Sequence, residues 1–473
     1  MTVRRAPVLV VLVAVLGAMA AAEVGDIGKD DGSPFGTAAS FAMPVSDPVG
    51  SLSSTWFCPA TGVDGNHAVL VTNHGDQPRT GSLTWTTGDG APVSEPVDVG
   101  AHEGVSLGVA DGVEGAAASV VVEMDGGGLA VERALRSSDG SGVTSCSSAA
   151  SDRWYLANGA TSRDATQLLT LFNPFADDAI IDVSFATDQG RDEPEALRGL
   201  PIRAHSTTVV NLGDVVRRRE VTATEVTTRR GRLVVQRMQR FDGSAGRSGL
   251  SLALAAPAPA DVWTFPAGVH GDGQGERWHV YNPGERDAVV SLEVVPDDGD
   301  FPVPVERTVA ARSQLVIDAA EIEAVAAGVG HSSSVRSVND VAVVVERELT
   351  AGPPSSRRGW SSTPGAPLAA PAWLLAGGDL PYPSGDRLFV HNPGAEPVRV
   401  SVAVLDGGQT TPLEGLQDVE LAAAGRQRVD VTEYVSGAPL PLLVQADGPV
   451  VVERDLSPTD DTGISTVFGA PLP

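Results

Sequence analysis

An all-β fold is predicted, built as four tandem β-sandwich units of Ig-like size, each about 105 residues long. Three observations carry this expectation: landmark residues recur in phase, the segments between them alternate apolar and polar with period two, and polar turns interrupt them every 8–15 residues or so. A β-propeller arrangement is the alternative packing for the same strands.

Each unit opens on a tryptophan: Trp56, Trp154, Trp263 and Trp373. An apolar strand ending in Asn follows, as AVLVTNH at 68–74, LLTLFNP at 168–174, RWHVYNP at 277–283 and RLFVHNP at 387–393. A second apolar strand closes the unit with Glu-Arg or Gln-Arg, as in LAVER, LVVQR and two copies of VVVER. Asn73, Asn173, Asn282 and Asn392 are spaced by 100, 109 and 110 residues. Arg133, Arg237, Arg347 and Arg454 are spaced by 104, 110 and 107. Three landmarks held in order over four copies mark a duplicated unit.

Between landmarks the side chains alternate. Ile181, Val183 and Phe185 share one face while Asp182 and Ser184 take the other; Val398, Val400, Val402 and Val404 oppose Arg399 and Ser401. Six to eight short strands are expected in each copy, with unit boundaries at 51–150, 151–258, 259–368 and 369–473. The linkers are short, so the copies should form a stiff array.

The N-terminus reads as an export signal or retained anchor over residues 1–22: Arg4 and Arg5, an apolar run from Ala6, and small residues at Ala20-Ala21-Ala22. At 17 residues the run is also at the lower limit for one membrane-spanning helix. Residues 23–50 are rich in Gly, Asp, Ser and Pro and read as a flexible stalk. The expected location is extracytoplasmic, secreted or held on the outer face of the cytoplasmic membrane. Cys58 and Cys146 are the only cysteines, with no C-x-x-C, so a structural disulfide is expected.

A net charge of −27 argues against nucleic acid as a partner. Charge is uneven: residues 152–256 hold 14 Arg against 13 Asp and Glu. Arg217, Arg218, Arg219, Arg229, Arg230 and Arg232 flank one expected hairpin. They read as a solvated surface, or as a docking patch for an envelope protein or anionic polymer. Lys29 is the only lysine, and neither H-E-x-x-H, S-x-x-K nor a phosphate loop occurs. The Asp-rich turns Asp30-Asp31, Asp177-Asp178, Asp297-Asp298-Gly299-Asp300 and Asp460-Asp461 lack calcium-loop spacing. The eight histidines are scattered. No catalytic residue, metal site or cofactor is assigned.

The recurrent residues read first as scaffold. Asn-Pro and Asn-Pro-Gly steps set β-turns. Each Trp should fill a core; exposed, it would offer a stacking face for a sugar. Adjacent Glu and Arg on one strand point to opposite faces, so one member turns inward and must be paired. The Arg is expected to pack on its Trp or to bond a backbone carbonyl at the junction.

The strings from Trp154 to Thr161, LLTLFNP, and Glu132 to Leu135 resemble units found in tandem in an uncharacterised actinobacterial extracytoplasmic family built of W…NP…ER repeats. The resemblance covers about residues 50–473, with departures at Asn73-His74 in the first copy and Gln236 in the second. It implies a cell-envelope protein, with an accessory role in surface polysaccharide assembly as one expectation. The leading expectation is a non-enzymatic structural or interaction protein of the envelope. An envelope carbohydrate-binding protein is the second, and a cryptic hydrolase the third.

Overall fold

A computed structural model describes residues 42–473, apart from 89–90, 112, 114, 298–303, 324, 379, 381–383, 436–438 and 459–461. The expected signal or anchor at 1–22 and most of the stalk lie outside the described residues. Among the described residues there is no α-helix, and no helix long and apolar enough to cross a membrane.

The first repeat sets the pattern. Its strands are β1 (Ser53–Cys58), β2 (Asn66–Asn73), β3 (Arg79–Thr86), β4 (Val93–Val99), β5 (Glu103–Gly108), β6 (Ser119–Asp125), β7 (Leu129–Ser137) and β8 (Gly140–Ser145). They form two four-stranded antiparallel sheets, in the orders β1-β6-β3-β4 and β5-β2-β7-β8. The Trp strand lies at the edge of one sheet; the Asn strand and the Glu-Arg strand are the central pair of the other.

The same two sheets recur. In the second repeat Arg153–Leu156, Ala165–Asn173, Thr222–Arg230 and Val234–Asp242 take the places of β1, β2, β6 and β7, and in the third Val262–Gly268, Gln274–Asn282, His331–Ser337 and Val344–Ala351 do. In the fourth repeat a single 17-residue strand, Leu442–Pro458, serves both sheets in turn.

Alternation places the cores. Along Ala179–Thr187 the residues Ile181, Val183 and Phe185 are buried while Asp182 and Ser184 are half-exposed. The apolar face packs on Leu169, Leu171 and Val235 from the facing sheet, with Trp154 among them. The second repeat's core thus lies between two stacked sheets, and the first repeat's core runs on into residues of the fourth, Leu374, Leu405 and Leu443 among them. The units are sandwiches; a propeller is not what the strands form.

The chain from Ala38 to Pro473 is one compact unit, and the array closes on itself. The strand equivalent to β8 in each repeat packs on its counterparts on either side. Leu254 N donates to Thr144 Oγ1 (3.2 Å), Ser362 N to Ser251 Oγ (3.2 Å), Gly463 N to the Arg358 carbonyl (2.9 Å), and Ser141 N to the Thr462 carbonyl (3.3 Å). These contacts run from repeat one to two, two to three, three to four, and four back to one. Close approach depends on glycine: Gly359 has φ of +143°, and a Cβ there would lie 2.8 Å from the carbonyl carbon of Gly463.

The stalk reading fails for its described end. Ala42 is buried, Ser46 N donates to the Pro471 carbonyl (3.1 Å), and the Asp47 carbonyl accepts from Gly128 N (2.8 Å). This segment is tied to the first and fourth repeats because its backbone groups find partners there.

Candidate functional site

The most concentrated chemistry lies at the seams between repeats, and it comes from two adjacent residues on each β7-type strand. The carboxylate or amide reaches out to the preceding repeat. Glu346 Oε1 accepts from Ala157 N (2.8 Å) and Asn158 N (3.3 Å), and Glu453 Oε2 accepts from Ala267 N (3.0 Å). Glu132 Oε1 accepts from Ala376 N (3.1 Å), so the fourth repeat precedes the first. Gln236 instead donates to the Ala60 carbonyl (3.3 Å).

The neighbouring Arg points the other way, into the junction beneath its own Trp strand. Arg133 donates to the carbonyls of Ala118 (2.6 Å) and Pro59 (3.0 Å). Arg454 donates to the carbonyls of Ala376 (2.7 Å) and Leu440 (2.9 Å) and pairs with Asp386 (2.8 Å). Arg237 donates to the Asn158 and Ser362 carbonyls. Carbonyl bonding, rather than packing on Trp, is the role Arg133, Arg237 and Arg454 take; Arg347 instead pairs with Glu453 and lies over the Phe265 ring, 5.2 Å away.

Three of the four Arg also face the carboxylate of the next repeat. Arg237 meets Glu346 at 2.8 Å, Arg347 pairs with Glu453, and Arg454 acts electrostatically on Glu132. At the first-to-second seam the acid is replaced by Gln236 and no such pair forms. Burial pushes the Arg133 guanidinium down to about 10, and its carbonyl partners compensate it there. Burial likewise drives the Glu132 carboxyl up to about 7, against the opposing pull of Arg454.

A further buried position escaped the sequence reading. Six residues before each landmark Asn stand His67, Gln167, Glu276 and Asp386, all nearly fully buried. Glu276 Oε2 lies 2.8 Å from His331 Nε2, and Asp386 pairs with Arg454. Burial pulls the Glu276 carboxyl up, but His331 and then Arg347 prevail and hold it below the ordinary range. The signal was available: a polar residue held in phase, six places before each landmark Asn.

The landmark Asn side chains are structural hubs. Asn282 Nδ2 donates to the carbonyls of Arg286 (2.8 Å), Val309 (3.0 Å) and Ala310 (3.2 Å), while its Oδ1 accepts from Gly284 N (2.9 Å). Asn73, Asn173 and Asn392 repeat that arrangement. Trp56, Trp154, Trp263 and Trp373 are at most 1% exposed, as are Trp85, Trp278 and Trp360. No Trp presents a stacking face, which removes the Trp-based sugar platform.

The arginine patch divides. Thr222–Arg230 and Val234–Asp242 belong to different sheets and do not pair as a hairpin. Arg217, Arg218 and Arg219 precede the first of these strands, while Arg229, Arg230 and Arg232 lie at its far end, about 30 Å away at roughly 3.3 Å per residue. Arg229 is bound to Asp182 (2.6 Å) and Arg232 lies over the Phe175 ring (5.3 Å). The six do not form one surface.

Cys58 and Cys146 are joined, with Cα atoms 4.6 Å apart, tying the end of β1 to the segment after β8. Among the described residues no group of His, Cys, Asp and Glu could hold a metal ion. Of the Asp-rich turns, Asp178 accepts from Ala204 N and Asp297 pairs with Arg426; Asp30, Asp31, Asp298, Asp300, Asp460 and Asp461 lie outside the described residues. The string Gly104-Val105-Ser106-Leu107-Gly108 fits G-x-S-x-G in letters. It lies within the edge strand β5 and not at a strand-to-helix turn, so it makes no nucleophile elbow.

No curated protein matches the chain. Among solved structures, Thermotoga maritima protein 1070 is 18% identical, with 23% of this chain and 93% of that one covered and a TM-score of 0.21. The Anabaena sensory rhodopsin transducer is 21% identical, covering 19% and 94%, with a TM-score of 0.17. A tetra-tandem repeat from the extending region of a large adhesion protein is 12% identical, covering 90% and 98%, with a TM-score of 0.11. Residues 137–371, from the end of the first repeat into the start of the fourth, match the model of a family of unknown function, DUF5719.

Proposed function

We propose that this chain is a non-enzymatic structural and interaction protein acting outside the cytoplasm, at the cell envelope, where four sandwich units are held as one rigid body. The observation that carries this reading is what the signature charges touch. Glu132, Glu346, Glu453, Arg133, Arg237, Arg347 and Arg454 are all at most 2% exposed and bond across or beneath the seams. Side chains engaged in this way hold repeats together and have no path to a substrate. The Cys58–Cys146 cross-link supports an oxidising compartment, where disulfides persist.

Fractionation of the producing cells, followed by incubation of the purified full chain with isolated envelope glycans, tests this reading. The chain should co-fractionate with the envelope or culture fluid and release no soluble product. Cytoplasmic fractionation, or turnover of a glycan, would overturn it.

A further inference from the structure

Fourfold repetition supplies internal controls, and one pair of serines separates two seams. Ser119 and Ser332 are equivalent: each lies three residues before the valine, Val122 or Val335, that stands opposite the repeat's Trp. At the first-to-second seam Ser119 Oγ accepts from Ala60 N (2.8 Å) and from Thr207 Oγ1 of the second repeat (2.7 Å). At the third-to-fourth seam the position of Thr207 is taken by Arg426; each pairs with the residue before the landmark Asn. Arg426 instead bonds Asp297 (2.6 Å), the Pro266 carbonyl (3.0 Å) and the carbonyl of His331, the residue before Ser332, and leaves the Ser332 hydroxyl without a bond. Ser332 is thus 0% exposed and its Oγ has no hydrogen-bond partner.

A cleft of about 340 Å³ opens beside it, between the outer sheet face of the third repeat and the turns of the fourth. Its polar lining includes Thr264, Glu293, Ser332, Ser334, Arg336 and His391, with Ser333 beside them. Strand alternation aims Ser332, Ser334 and Arg336 outward, while Ser333 turns to the core and accepts from Trp278 Nε1 (3.0 Å). His391 Nδ1 is 3.0 Å from the Gly425 carbonyl, so Nδ1 carries the proton and Nε2 is an acceptor. Burial pushes that imidazole down to about 4, which keeps it neutral.

We propose that this cleft binds a neutral saccharide unit. One carboxylate and one guanidinium offset each other at the rim, which selects against a charged ligand. Three hydroxyls and a neutral imidazole supply donors and acceptors in the mixture that sugar hydroxyls match. Pro367 and Pro393 give apolar wall against which the C–H face of a ring can lie. The volume falls within the roughly 300–1,000 Å³ of small-molecule sites. A ligand hydroxyl reaching Ser332 would supply the partner that the neighbouring repeat supplies to Ser119. This site is independent of the scaffold role proposed above.

Calorimetric titration of the full chain with maltose, cellobiose, lactose, mannobiose and trehalose, each to about 20 mM, is the test, a range that registers dissociation constants near 1 mM. At least one saccharide should bind, and Ser332→Ala and Glu293→Gln should each weaken it about tenfold, the loss of one good hydrogen bond. Ser332→Ala removes an orphaned hydroxyl, so its melting temperature should hold or rise, which separates lost binding from lost folding. Ser119→Ala, which breaks a seam bond, should leave binding unchanged. No binding by any of the five, or equal binding by wild type and both cleft variants, would overturn the proposal.

Discussion

Glu132 and Ala376 stand 244 residues apart and are joined by a 3.1 Å hydrogen bond from the Ala376 amide to the buried Glu132 carboxylate. The bond closes the fourth repeat onto the first. It uses the same strand position that joins Glu346 to Ala157 and Glu453 to Ala267. Its carboxyl differs from a surface acid because it is buried and Arg454 only partly offsets the cost of burial.

Part of the pH dependence of stability should therefore come from this group. Its folded pKa, pushed up to about 7, exceeds the unfolded value near 4.5, so the folded state holds the extra proton between them. The contribution is fully present below about 4.5 and is lost as pH rises through 7, a difference of about 3 kcal/mol for the fully buried group. Urea midpoints of wild type and Glu132→Gln at pH 5 and pH 8 check this. The variant should lose that part of the slope; an unchanged slope rejects the assignment.

Removing one partner of the buried Arg347–Glu453 pair should cost about 3–5 kcal/mol, because the other charge is left without compensation. Arg347→Met combined with Glu453→Gln should recover a substantial part. A double-mutant cycle by denaturant unfolding measures the coupling, and strict additivity would show that the two side chains do not act as a pair.

Asn282→Ala should destabilise by about 2 kcal/mol, since three carbonyls, that of Val309 buried, and one amide lose their partner together. Circular dichroism on heating reads the shift. Asn282→Asp keeps the acceptor but loses the donors, so it should recover little.

Reduction of the Cys58–Cys146 bond, which closes a separation of 88 residues, should lower stability by about 4–5 kcal/mol on the chain-entropy account. Unfolding with and without reductant, and of the Cys58→Ser/Cys146→Ser variant, should agree. A variant as stable as wild type would show that the cross-link adds nothing.

Much of the fold was legible because it is local. Alternation at Ile181, Val183 and Phe185 is a property of one strand, and burying one face of it against another sheet is the only outcome open to that pattern. The Asn-Pro-Gly turns were readable on the same ground. The buried acids were harder: Glu276 and Asp386 sit among exposed-type residues in composition, and only phase with Asn282 and Asn392 distinguishes them. The arginine patch divides because nearness along the chain is not nearness in space. A strand of nine residues, Thr222–Arg230, carries its two ends far apart and into no hairpin.

By itself the sequence determined the class of fold, the number of units and which residues recur, since each is written in short-range periodicity and its repetition. Only the tertiary structure decided that the four units close on one another, that Glu and Arg on one strand serve opposite sides of a seam, and that Ser332 is left without the partner Ser119 has. Those facts depend on pairing across about 90 to more than 240 residues. No periodicity within a strand encodes them, because they follow from how whole sandwiches pack once each has formed.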